Sequence, residues 1–292
     1  MTMTLYQKKD QKGKKLVISR NYSDLRDTDL GNNPSSIRMT AKDDAILLFN
    51  KKDWDGGVMY FRGIRSMDSL GNLSQGGEFL KGNSVTSVRI TPFRLNLNVT
   101  YVTSDGRMPG GHEDEDHVEA TFTKALALAN FFLDDQKAMI RMNVARKSFR
   151  DNPKKFDLTS LGATDFPADW TNPREVDVVV CNTIKNAVGK APFPFWGKTI
   201  VVAMSDGDRR RPFGDVARTL AHELGHFLGL GHGSGDGQAA NIMTQSSRGL
   251  PIGDSVLWPG QIEEMQTRLA RHISRQGNRI EGVRRAGPLT TA

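Results

Sequence analysis

The hydrophobic residues of this chain recur at two intervals. Up to residue 102 they form short runs or alternate with polar neighbours: Lys15-Leu-Val-Ile-Ser19, Ala45-Ile-Leu-Leu-Phe49, Val58-Met-Tyr-Phe61, Ser87-Val-Arg-Ile-Thr91 and Leu95-Asn-Leu-Asn-Val-Thr-Tyr-Val102. Such runs, separated by Gly-rich turns, predict strands. The period then lengthens. Val118, Phe122, Ala125, Leu126, Ala129, Phe132 and Leu133 fall at helical spacing, behind an acidic run, Glu113-Asp-Glu-Asp116, that suits a helix N-terminus. Strands are predicted at Met139–Val144, Val176–Cys181 and Lys198–Met204. A second helix has Asp215 as its expected N-cap and Val216, Leu220, Leu224, Phe227 and Leu228 as its apolar face. A third starts at Pro259 and carries Ile262, Met265, Leu269 and Ile273.

The pattern predicts a multidomain chain, with an all-β domain over residues 1–94 and an α+β domain with a mixed sheet over 95–277. A basic flexible tail is expected over 278–292. The 292 residues are enough for two such domains, and 37% hydrophobic with 25% charged residues is a globular composition. No apolar run reaches membrane-span length, and no apolar signal region is visible near Met1. Extracellular and cytoplasmic locations both stay open on these grounds.

The single cysteine, Cys181, rules out an intramolecular disulfide. Its neighbours Val178-Val-Val180 favour a buried strand position. Charge is uneven. Residues 1–94 hold 16 Lys and Arg against 10 Asp and Glu, a balance of +6 within a chain total of +7. An anionic surface partner would suit that domain, although a solvated basic surface explains it too. No aromatic residues interleave the basic ones, so nucleic acid is not expected.

Two segments of the first domain repeat. Tyr6-Gln-Lys-Lys-Asp-Gln-Lys-Gly13 parallels Phe49-Asn-Lys-Lys-Asp-Trp-Asp-Gly56, and Gly31-Asn-Asn-Pro-Ser-Ser36 parallels Gly82-Asn-Ser-Val-Thr-Ser87. Aromatic, four residues, aromatic, one residue, glycine, followed by Asn-x-x-Ser/Thr-Ser, resembles the βγ-crystallin family. In the first repeat Gln11 replaces the second aromatic. The resemblance implies a double Greek key. It also implies candidate calcium ligands at Asn32 and Ser35, and at Asn83 and Thr86, since Ca²⁺ takes oxygen donors. Gly31 and Gly82 stand where an oxygen-bearing residue is preferred. The second reading has Ser36 and Ser87 hydrogen-bonding the folded hairpins with no calcium held.

The sharpest chemistry lies in Ala221-His-Glu-Leu-Gly-His-Phe-Leu-Gly-Leu-Gly-His232. On a helix, His222 and His226 share one face one turn apart. Gly229 can end the helix in the left-handed conformation, and the turned chain can return His232 as a third nitrogen ligand. Three imidazoles leave one position of tetrahedral zinc open, as catalytic sites do. Glu223 is then the candidate general base toward water. H-E-x-x-H-x-x-G-x-x-H is similar to the metzincin metalloproteases. Asn241-Ile-Met243 fits their methionine turn, and Gln245 stands where some subfamilies place a tyrosine ligand, which favours the matrixin-like and pappalysin-like branches.

The resemblance implies a metalloendopeptidase: Zn²⁺ on His222, His226 and His232, Glu223 as general base, Met243 beneath the metal, and a protein or peptide substrate. It also implies an antiparallel edge strand that pairs with substrate, for which Lys198–Met204 is the candidate. The first domain would then serve targeting, calcium binding or regulation. The alternative is a binding protein acting through the crystallin-like domain, with a latent or weak zinc domain. The triplet Arg209-Arg-Arg211 reads as a solvated loop or a preference for acidic substrates.

Overall fold

A computed structural model describes residues 3–31, 34–41, 45–52, 58–62, 65–67, 70, 85–159, 166–171, 175–191, 199–233, 240–244 and 251–275. The expected tail over 278–292 lies outside them. The described residues divide into two compact units. One holds the chain up to Phe93, with Lys137–Met139 and the last helix from Gln266; the other holds Arg94–Gln136 and Ile140–Met265.

All seven strands numbered before Phe93 lie in the first unit: β1 (Met3–Tyr6), β2 (Lys15–Ile18), β3 (Ser36–Met39), β4 (Ala45–Phe49), β5 (Val58–Arg62), β6 (Arg65–Met67) and β7 (Ser87–Arg89). They form one sheet in the order β2-β1-β3-β6 and another in the order β5-β4-β7. The repeats exchange backbone contacts. The second lends β6 to the first sheet, antiparallel to β3 through Ile37 and Met67, and Tyr22 of the first forms an isolated bridge to Val88 of β7. This exchange makes the unit a double Greek key. Its core joins the two sheets through Leu5, Ile18, Ile37, Ile46, Leu48, Phe61 and Val88.

The two repeat serines hydrogen-bond the hairpin segments. Ser36 Oγ donates to the Lys8 carbonyl at 2.7 Å and accepts from the Gln11 N–H, while Ser87 Oγ donates to the Lys51 carbonyl at 2.6 Å. Asp10 and Gln11 take positive φ in the first hairpin, and Gly13 follows at φ 79°.

The second unit begins in β8 (Phe93–Thr103), followed by α1 (Glu115–Asp135), β9 (Ile140–Asp151), the short α2 (Pro153–Phe156), β10 (Asp157–Leu158), β11 (Val176–Cys181), β12 (Thr183–Ile184), β13 (Gly189–Lys190) and β14 (Thr199–Ala203). The hairpin β15 (Ser205–Asp206) and β16 (Arg209–Arg210) leads into α3 (Phe213–Phe227), and α4 (Pro259–Arg275) comes last. The main sheet runs β13-β14-β11-β8-β9. β14 and β8 flank β11 in parallel, and β13 is antiparallel to β14.

Two expectations need correction. β9 starts at Ile140 and reaches Asp151, well beyond Val144; Met139 has φ 57° and stands outside it. Lys198 lies outside the described residues, and the rest of the Lys198–Met204 candidate is not the edge. β14 lies between β11 and β13, which pairs with it at Val201 and Val202, and the antiparallel edge is the two-residue β13. A Val-rich run such as Ile200-Val-Val-Ala203 marks an interior parallel strand, because both of its faces are buried.

Candidate metal centre

α3 forms because its inward positions repeat at helical spacing: Val216, Leu220 and Leu224 are buried, as are Ala217, Ala221 and Gly225 between them. Its start differs from expectation. Pro212 precedes the first turn as N-cap, and Asp215 lies within that turn, where its charge still suits the helix dipole. Its end is set by Gly229 at φ 96°. The Leu230 N–H reaches the Gly225 carbonyl, and the Gly229 N–H reaches that of His226, both at 2.9 Å. This paired closure satisfies two end carbonyls and turns the chain back toward the helix.

The turn brings His232 to His222 and His226. Their three ligand atoms form one cluster, with His226 Nε2 3.0 Å from the Nε2 of both other rings. The opposite nitrogens decide the tautomer. His222 Nδ1 lies 2.7 Å from the Ile242 carbonyl, and His226 Nδ1 lies 2.7 Å from that of Leu230. A carbonyl only accepts, so each Nδ1 carries the proton and each Nε2 presents a lone pair. Burial pushes the His222 pKa down to about 4 and lowers that of His226, so both rings are neutral at pH 7. Facing lone pairs at 3.0 Å repel unless a cation lies between them. Tetrahedral zinc would separate such nitrogens by about 3.3 Å, so small ring movements complete the fit.

Glu223 is buried beside β13. Burial pushes its pKa up to about 8, and an N–H donated by Ala191 opposes that rise. A dication nearby would draw it further down. The approach of strand to helix is close. A Cβ on Gly189 would lie 2.4 Å from Thr219 Cγ2 and 2.7 Å from Glu223 Oε1, so no other residue fits there without displacement.

Met243 is fully buried. Asn241, also buried, accepts the Met243 N–H at 2.8 Å and donates to Gln261 Oε1, while the Ile242 N–H bonds the Val256 carbonyl. The turn so fixed supplies the Ile242 carbonyl that orients His222. The Met243 sulfur approaches α3 at Gly225, where a Cβ would lie 2.4 Å from it. Gly189 and Gly225 are thus site residues that sequence reasoning passed over, and Asn241 figures there only as part of the methionine turn. Gly225 alone left a signal, as a glycine within a helix, which costs about 1 kcal/mol against Ala unless packing requires it.

The arginine triplet is mainly structural. Arg209 is exposed, but Arg210 donates to the Gly110 and Gly111 carbonyls. Arg211 is buried between sheet and helix, which corrects the solvated-loop reading. Of the calcium candidates, Asn32 and Asn83 lie outside the described residues. The Ser35 N–H bonds the Tyr6 carbonyl, and Thr86 Oγ1 donates to the Asn50 carbonyl at 3.1 Å. Cys181 is buried, its thiol pushed up to about 12 by desolvation, with Sγ 3.8 Å from the Val202 carbonyl.

No protein-family model matches the chain, and no curated protein matches it. Among solved structures, a βγ-crystallin from Ciona intestinalis is 18% identical over 31% of this chain and 100% of its own, with a TM-score of 0.27. The N-terminal domain of Protein S is 21% identical over 31% of this chain and 94% of its own, at 0.25. A transition-metal-ion-binding βγ-crystallin from Methanosaeta thermophila is 16% identical over 30% and 96%, at 0.24. TM-scores this low decide nothing further about the chain.

Proposed function

We propose that the second unit is a zinc-dependent endopeptidase. The observation that carries this reading is the convergence of three imidazole Nε2 atoms, two of them fixed as lone-pair donors, beside one buried carboxylate, Glu223, which lies against an antiparallel sheet edge. Zinc suits a three-nitrogen set with an open position, and bound there it would supply a Lewis acid that polarises a carbonyl and acidifies water. His222, His226 and His232 hold it, the first two with their rings oriented by backbone carbonyls.

The other steps belong to the chain's own residues. An extended substrate adds to β13 by main-chain hydrogen bonds, which places a peptide carbonyl in reach of the site. Glu223 accepts a proton from the attacking water and returns it to the leaving amine, so one carboxyl serves as base and then acid. Met243 has no proton to give; it fills the space under the histidines. The substrate class, a peptide bond in an extended segment, is carried by the metzincin resemblance, and the strand edge suits it; the three histidines alone would equally serve hydrolysis of another carbonyl.

The test is digestion of an unstructured protein by zinc-loaded wild type and Glu223→Ala, with zinc measured in both. Cleavage by wild type, reduced by about 10²- to 10⁴-fold in the variant at equal zinc, is the expected result. Equal cleavage by both removes Glu223 from the mechanism. Zinc bound with no cleavage by either removes the endopeptidase.

A further inference from the structure

Arg211 is a buried cation that the proposed chemistry does not use. Nη1 donates to the Ala203 carbonyl at 2.6 Å and the Val188 carbonyl at 3.3 Å. Nη2 donates to the Asp215 carbonyl at 2.8 Å and to Thr219 Oγ1 at 2.6 Å. One nitrogen thus holds the end of β14 and the residue leading into β13; the other holds the first turns of α3. Desolvation lowers its pKa to about 10. Burying a guanidinium is costly, and here four neutral oxygens compensate it in a fixed fork.

The fork reaches a neighbour of each partner in the contact between sheet edge and Glu223, Val188 before Gly189 and Thr219 on α3. Thr219 precedes Glu223 by one helical turn, on the same face. The same Thr219 has its Cγ2 within 2.4 Å of where a Gly189 Cβ would stand, and Glu223 Oε1 lies 2.7 Å from that point. The Ala191 N–H, just past β13, donates to the Glu223 carboxylate. Edge strand, Thr219, Glu223 and Arg211 therefore share one close-packed gap.

We infer that Arg211 is a positioning residue that sets the distance between the substrate-binding edge strand and the Glu223 carboxylate. Through the Val188 and Ala203 carbonyls it fixes the strand, and through Asp215 and Thr219 it fixes the helix. Lysine, a point charge with no planar fork, cannot span both sets of oxygens in this way. The inference rests on the endopeptidase reading for its kinetic consequence, but its structural content is independent of it.

The experiment uses the full zinc-loaded chain and three variants: Arg211→Lys, Thr219→Val and Gly189→Ala. The first two loosen the gap and the third forces it open. Two quantities are read: kcat and KM on an extended peptide, and amide exchange at Ala191 by NMR, with the Val179 and Val180 amides of β11, one strand further from the edge, as internal controls. Zinc content is expected to stay at the wild-type level. In Arg211→Lys kcat should fall by about tenfold to a hundredfold, and the Ala191 amide should exchange faster while Val179 and Val180 do not. Thr219→Val, which keeps the side-chain shape, should move both readouts the same way by less.

Unchanged Ala191 exchange in all three variants overturns the inference. So does faster exchange in β11 as well, since that reports general destabilisation. If wild type cleaves nothing but Ala191 exchange responds alone, the positioning role stands and the endopeptidase reading falls.

Discussion

At the residue scale, the contact between Gly225 and Met243 decides more than helix propensity does. Alanine in a helix interior is favoured over glycine by about 1 kcal/mol. Here its Cβ would meet the Met243 sulfur at 2.4 Å, and Met243 lies in a turn pinned by Asn241. The thioether is flexible, but Met243 is fully enclosed and has no free space to swing into, so overpacking at about 1–3 kcal/mol outweighs the propensity gain. Gly225→Ala is expected to lower the melting temperature of the wild-type chain and raise it in a Met243→Ala background. A thermal double-mutant cycle checks the sign reversal; independent, additive effects would mean that the two residues do not oppose each other. The thiol of Cys181 is a second case where burial decides. With its pKa at about 12 and no exposed surface, it should resist thiol reagents in the native chain and react fully after denaturation. Native reactivity at neutral pH would show that β11 opens.

At the scale of elements, α1 and α3 begin and end by different devices. Asp114 caps α1 by accepting the His117 N–H at 2.9 Å, and its carboxylate also lies 2.8 Å from His117 Nδ1. The bonds to His117 hold the Asp114 pKa below its usual value, and Asp114 raises that of His117. The signs define a window. The Asp114 contribution is present above its unfolded value and lost as pH falls through the folded one. The His117 contribution is present below its unfolded value and lost as pH rises through the folded one. The pair therefore acts between these limits, in mildly acid solution. An NMR titration should place His117 above its ordinary 6.5, with Asp114→Asn bringing it back; no change in the variant would remove the pairing. α3 instead depends on its end. Gly229 at φ 96° is what returns His232. Gly229→Ala should cost about 1–2 kcal/mol of stability and weaken zinc binding together with it, read by competition with a chelator. Lost stability at unchanged zinc affinity would show that His232 is placed by something else.

At the scale of the whole molecule, what could be read from sequence was what is local. His222, Glu223, His226, Gly229 and His232 lie within eleven residues, and helical geometry with one glycine turn nearly determines how they meet. The repeats announced the hairpins because Ser36 and Ser87 occupy matching places in each. The edge strand was misread because β13 is two residues long and patternless, whereas the conspicuous valines belong to the covered strand beside it. Arg211 looked like one of three loop arginines, because a fork onto four oxygens exists only once β13, β14 and α3 have met. The histidine cluster itself belongs to this scale, since it brings α3, the returning turn and the Met243 turn together. Without a cation, lone pairs that face each other at 3.0 Å must separate or bind protons. A ligand that binds only the folded state stabilises it by about 2.7 kcal/mol at a concentration a hundredfold above its Kd. Zinc is therefore expected to raise the melting temperature, and a chelator to reverse the rise. Magnesium should do neither at this site, because imidazole nitrogens do not suit a hard cation. His232→Ala, which leaves two nitrogens, should abolish most of the zinc-dependent shift while changing the melting temperature of the chelated chain little, since His232 is exposed. Calorimetry on the four combinations of chain and metal separates the cases: an equal zinc shift in both chains would mean that the ion binds elsewhere.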